Sequence, residues 1–380
     1  MKINNRLIYK TLFTLIGIVI LSIGGFMAYL MTPSGFQSRQ AEGPKVLTEL
    51  LEMAQESQPF NPDPYISSTY RPGDPLYEPV LAIQRERWDI AKKLLQPLVE
   101  QGNADAMYWL AHISGGSIYA GKEIARLFRK SAELGNPYAA LRLDVSSEDC
   151  SLYLRGYCDP KWGKLGRKLL QERAEKGDKK AEYYLLQYDE NSSEEVHKEL
   201  ERLVTENAKN HYYQPLIRMM IDYNSQSYLT YFQKSKELSN KKRKLISEIA
   251  LLAVNNNFPP AMYNIFYNMS DVYEDNVLSK IINQCIKLTS RSITCAEYNI
   301  DKPNRTRHDI LIGAAYSYMT DIINHGTNKY SKLTIFKSYM NRKGVEALNS
   351  DENSEVISMA KEMLEKMTPV IYIDEMNPRP

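Results

Sequence analysis

Net charge is nearly absent from this chain of 380 residues, in which 48 basic side chains face 46 acidic ones and leave a balance of +2. Without a positive excess there is no counterion release to hold a polyanion, so nucleic acid is not expected as a partner. Histidine is scarce: His112, His197, His211, His308 and His325 are dispersed, and none belongs to a metal-binding helix motif. His197 and Glu201 share a helix face, which reads as an exposed ion pair. Ser117 follows Gly115 and Gly116 without the second glycine of a nucleophile elbow, and there is no phosphate-cradling loop. The run Lys241 to Lys244 lacks apolar interleaving and reads as the solvated start of a helix rather than a lipid contact. These absences predict no catalytic residue, no metal and no cofactor.

Cysteine is also sparse, but its placement is informative. The four cysteines fall into two close pairs, Cys150 with Cys158 and Cys285 with Cys295. Neither pair has zinc-knuckle spacing or a nearby histidine, so two local disulfides are expected, and with them an oxidising compartment.

Charge disappears altogether from Thr11 to Ser38. Leu12 to Met31 is nearly unbroken apolar sequence, about 30 Å long as a helix, which matches the hydrocarbon thickness of a bilayer. Lys2, Arg6 and Lys10 precede it, so the positive-inside bias keeps the N-terminus cytoplasmic and exports the rest. A cleaved signal peptide is the competing reading, against which stand the length of the run and the lack of a small-x-small site.

What the sequence does have is helical periodicity, tyrosine and proline. Pro59, Pro62, Pro64, Pro72, Pro75 and Pro79 rule out a helix between Ser57 and Pro79, a stretch that reads as a strap whose Tyr65, Tyr70 and Tyr77 can dock on the body. Beyond it, apolar residues recur at three-and-four spacing almost to the end. Tyrosine, at 27 residues, suits wet helix seams and, secondarily, interfaces.

A phrase recurs within the helical part. Gly102, Ala106 and Leu110 return as Gly135, Ala139 and Leu143, and again as Gly177, Ala181 and Leu185. Weaker copies run through His211, Pro215 and Met219 and through Asn257, Ala261 and Ile265, so the glycine position repeats every 33, 42, 34 and 46 residues. A glycine there ends one helix in the left-handed conformation, and the small residue four places on lets the next helix come close. Asparagine tolerates that geometry better than histidine.

Glu100 to Leu110, Lys122 to Glu133 and Glu133 to Leu143 resemble Sel1-like repeats, relatives of tetratricopeptide repeats. The resemblance covers three copies between about residues 90 and 188, extends to two more by about 270, and then stops. It implies an all-α fold, an αα-repeat solenoid acting as a protein-binding scaffold, and packed aromatics at Tyr108, Tyr183 and Tyr263. Trp109 and Tyr184, three places after the repeat alanine and off the seam, are the candidate partner-binding residues, although partly buried ring packing is the favoured reading at both.

The expected map is a cytoplasmic N-terminus (1–10), a transmembrane anchor (11–33), a membrane-proximal helix and strap (34–79), a repeat solenoid (80–270), a helical capping region (271–368) and a tail (369–380). Sel1-like repeat proteins occur among the partners of lipase-type effectors of type VI secretion. The resemblance therefore suggests an immunity protein of the bacterial inner membrane, its bulk in the periplasm, that neutralises such a toxin by binding it. An envelope scaffold docking on a membrane complex is the alternative.

Overall fold

A computed structural model describes residues 45–115, 120–187, 194–221, 236–289, 293–302, 304–324 and 331–379. Every regular element among them is helical, so the fold is all-α. The expected anchor at 11–33 lies outside the described residues, as do Ser117 and His325. Among the described residues no helix is long and apolar enough to cross a membrane.

The recurring phrase builds the corners between helices. At all five copies the glycine position is left-handed, with φ of +84° at Gly102, +96° at Gly135, +92° at Gly177, +58° at His211 and +61° at Asn257. Each corner closes with the same two bonds: Gly102 N–H donates to Val99 O and Asn103 N–H to Leu98 O, and the other four repeat this pattern. The next residue then starts the second helix. Asn103 caps Ala106 N–H, Asn136 caps Ala139 N–H and Asp178 caps Ala181 N–H. Tyr212 and Phe258 occupy the same place in the weaker copies, and Phe258 makes no side-chain cap. Glu86 and Gly344, which the phrase does not cover, form two more such corners at φ of +60° and +66°.

Such corners join α2 (Tyr77–Gln84) to α3 (Trp88–Glu100), α3 to α4 (Ala104–Ile113), and α5 (Gly121–Glu133) to α6 (Pro137–Arg142). After the short α7 (Glu148–Leu152) come α8 (Pro160–Glu175), α9 (Lys179–Gln187), α10 (Glu194–Lys209) and a helical stretch at 214–221. The chain continues with α11 (Lys236–Asn255), α12 (Pro259–Asn268), α13 (Asp275–Leu288), α14 (Ile293–Asp301), α15 (Arg307–Asn324), α16 (Lys332–Arg342) and α17 (Ser350–Glu365). From α2 to α6 each helix packs on the next, and α6, α8, α9 and α10 continue the stack. The repeat alanines at 106, 139, 181 and 261 are fully buried in these seams. Where α8 crosses α6, Gly163 and Gly166 leave room that a side chain would fill: a β-carbon on Gly166 would lie 2.8 Å from Leu141 Cγ and 3.0 Å from Pro137 O.

The stretch at 45–76 is part of the body. α1 (Lys45–Glu56) packs against α10 and α11 and buries Leu47 and Leu50. The proline-rich strap then crosses to the corner at Asn257, whose side-chain amide donates to Asn61 O and Asp63 O, while Ser67 Oγ donates to Asn257 O. Asparagine at this left-handed position thus holds the strap as well as the turn. Arg87, at the first corner, donates to Ile323 O at the end of the helix Arg307–Asn324 (α15), joining two stretches far apart in sequence.

Both cysteine pairs are disulfides, with none of the cysteines free. Cys150–Cys158 staples the loop between α6 and α8, and Cys285–Cys295 joins α13 to α14. Glu201, expected in an exposed pair with His197, is buried, and the side chain of His197 lies outside what the structure describes.

Two substitutions separate the roles of the glycines. Gly135→Ala should lower stability by about 1 kcal/mol through backbone strain alone, whereas Gly166→Ala should cost about 1–3 kcal/mol by driving α8 off α6. Urea midpoints of the two variants check both. Reduction of the disulfides should lower stability by about 2–3 kcal/mol per bridge, read as a fall in melting temperature with and without reductant.

Candidate functional site

The second helix of each repeated pair turns one side inward, and the inner sides together line a groove. The expected tail fills it. Val370, Ile371, Tyr372 and Ile373 are at most 5% exposed and Asp374 is fully buried. The burial of this stretch, mapped from the sequence as a tail at 369–380, has a physical basis. The sequence Val-Ile-Tyr-Ile between Pro369 and Asp374 offers no helical amphipathicity but a continuous apolar surface for an extended chain, and burying it stabilises the fold by about 1.5–3 kcal/mol per side chain.

The backbone of this segment is held largely by side chains. Tyr77 OH donates to Pro369 O, and Gln84 brackets the next residues, donating from Nε2 to Val370 O and accepting Tyr372 N–H on Oε1. Ser68 Oγ accepts Ile371 N–H, and Thr69 N–H donates to Ile371 O. Gln214 donates to Tyr372 O at 2.9 Å, while Tyr108 OH and Arg142 both reach Glu375 O. The Tyr263 ring stands edge-on to that of Tyr372.

Charge is concentrated at the two acidic residues. Lys180 lies 3.5 Å from Asp374 Oδ2 and 3.3 Å from Glu375 Oε2, with the rings of Tyr138 and Tyr212 against its ammonium. Burial opposes its charge, yet Asp374 and Glu375 more than offset this and hold its pKa well above the ordinary value. Tyr212 OH donates to Asp374 Oδ2, and Tyr70 OH donates to Glu375 Oε1 at 2.7 Å. Burial first, and the adjoining carboxylates second, push up the phenols of Tyr70, Tyr184 and Tyr212. The carboxyl of Asp105 is likewise raised, by burial and then by Glu375.

Trp109 and Tyr184, the candidate partner-binding residues, are buried at 0% and 4% exposure. Both nonetheless face the occupied groove. Trp109 Nε1 donates to Tyr70 OH of the strap, and Tyr184 OH meets Tyr212 OH and the Asn377 amide. Tyr108 and Tyr183 are packed in the core, and Tyr263 OH donates to Thr289 Oγ1. Gly102, Gly135 and Gly177 form corners, Ala106, Ala139 and Ala181 fill seams, Leu143 is fully buried, and Leu110 and Leu185 pack against the core from its edge. Sequence reasoning did not find Gln84, Arg142, Lys180 or Gln214. A signal existed, because Lys180 and Gln214 stand one place before the small repeat residue and Arg142, like Trp109 and Tyr184, three places after it.

At the far end of the segment lies a cavity of about 510 Å³ lined by Trp88, His112, Tyr153, Pro378 and Arg379 among others. His112 stacks on Tyr108 and lines the cavity together with Pro378. Burial, reinforced by Arg142, lowers its pKa from 6.5 to about 4. Among the described residues no group of histidine, cysteine and carboxylate side chains has the arrangement of a metal site. No protein-family model matches the chain, and no curated protein matches it significantly.

Gln84→Met keeps the size of the side chain but strands Val370 O and Tyr372 N–H, and should lower stability by about 2 kcal/mol in urea titration. A second expectation concerns acid. The folded state protonates His112 less readily than the unfolded state, so its contribution is complete above about pH 6.5 and lost as the pH falls toward 4, on the order of 2–3 kcal/mol. His112→Phe should flatten that part of the stability profile, as followed by melting temperature between pH 7 and pH 4.

Proposed function

We propose that the chain is a membrane-anchored, periplasmic, protein-binding array of Sel1-like repeats without enzymatic activity, and that it serves as an immunity protein neutralising a lipase-type antibacterial effector. The observation that carries the protein-binding reading is the groove. Tyrosine hydroxyls, Gln84, Gln214, Arg142 and Lys180 converge on an extended polypeptide, bonding its backbone and its acidic side chains. That is the chemistry of protein recognition, with rigid amphipathic rings and charge-assisted bonds. The two disulfides suit an oxidising compartment, and the charge-free run at 11–38 supplies the tether. Tethering would concentrate an antidote where a membrane-attacking toxin acts.

Co-expression with toxins encoded by neighbouring genes, exported to the periplasm, tests this directly. The expected result is restored growth together with a complex that survives gel filtration. A partner that copurifies during ordinary growth, with no protection against any toxin, would replace immunity by the scaffold role.

A further inference from the structure

We propose that residues 369–377 are a resident ligand of the groove, and that the partner which the groove takes is an extended segment of another polypeptide with the same chemistry: alternating or continuous apolar residues followed by two acidic ones. This inference rests on the protein-binding reading above and adds to it the site and the kind of segment bound.

The case lies in how the segment is held. Gln84, Gln214, Tyr77, Tyr108 and Arg142 bond main-chain atoms, which every polypeptide carries. Selectivity then comes from two places. The apolar floor accepts side chains at 370–373, and Lys180 with Tyr212 and Tyr70 reads the acidic pair at 374–375. Backbone bonds supplying affinity and side-chain subsites supplying selectivity are the pattern of extended-peptide recognition. Lys180, enclosed by rings, forms its ion pairs with the segment's carboxylates, Asp374 and Glu375. An incoming segment that lacked them would take both ion-pair partners from a buried cation, which selects for acid at those two positions. Connection through α17 gives the resident segment a high effective concentration, so an outside competitor must bind better or act when the segment is released.

The test uses the full chain with a protease site inserted between Lys366 and Thr368, folded first and then cut. A fluorescent peptide of sequence TPVIYIDEMNPRP, matching residues 368–380, is added before and after cutting, and anisotropy is read alongside the helical circular dichroism signal. The proposal expects at least a 100-fold gain in bound peptide after cutting, with the helical signal unchanged. The same peptide carrying Asn and Gln in place of the acidic pair should bind at least 10-fold more weakly, and cut Lys180→Ala protein should show the same loss for the unmodified peptide. Loss of helical signal whenever the cut segment leaves would overturn the proposal, making the segment a fixed part of the core. Formation of dimers in place of peptide exchange would also overturn it, in favour of a second copy as occupant. A partner that binds cut and intact protein equally would overturn this inference while leaving the protein-binding reading standing. Absence of any partner together with absence of exchange would remove both.

Discussion

The left-handed corner is the constraint on which the rest of this structure depends. One residue with positive φ ends a helix, its neighbour caps the next, and no intervening loop softens the angle between them. That corner recurs at Gly102, Gly135, Gly177, His211 and Asn257, and the helices that follow carry Tyr108, Arg142, Lys180, Gln214 and Tyr263, all of which meet residues 372–375. A longer connection at each corner would allow each pair its own angle. The groove exists because the corners do not permit that choice.

A groove formed in this way has an apolar floor and must be covered. Residues 369–377 cover it from within, using an extended backbone whose polar groups the array satisfies one by one. The strap at 57–76 lies alongside, joined to the segment through Ser68 and Thr69 and to the array through Asn257. Tyrosine's abundance follows from this geometry. Tyr70, Tyr77, Tyr108 and Tyr212 each bury a ring while delivering a hydroxyl to the segment, which phenylalanine would leave unbonded.

Much of the local architecture was legible in the sequence. The glycine phrase located corners even where His211 and Asn257 replace glycine, because the neighbouring small and apolar residues keep their register. The disulfide pairs were legible from spacing alone. What the sequence concealed was long-range. Nothing local distinguishes Gln84 from a surface glutamine, since its three partners lie more than 280 residues away. At Trp109 and Tyr184 ring packing, the reading their residue types favour, prevails over exposure, because off the seam in a helix pair means exposed only when nothing occupies the groove. The apolar run at 370–373 carried its own signal of burial, and its place after the last helix made it read as a tail.

Amide hydrogen exchange at Val370, Ile371, Tyr372 and Ile373 in the intact chain tests most directly whether the groove holds this segment in solution. The account predicts protection by several orders of magnitude over an unstructured peptide, because each of these N–H groups has an enclosed acceptor in Leu288 O, Ser68 Oγ or Gln84 Oε1. Exchange of these amides at the rate of an unstructured peptide, while the helices remain protected, would contradict it.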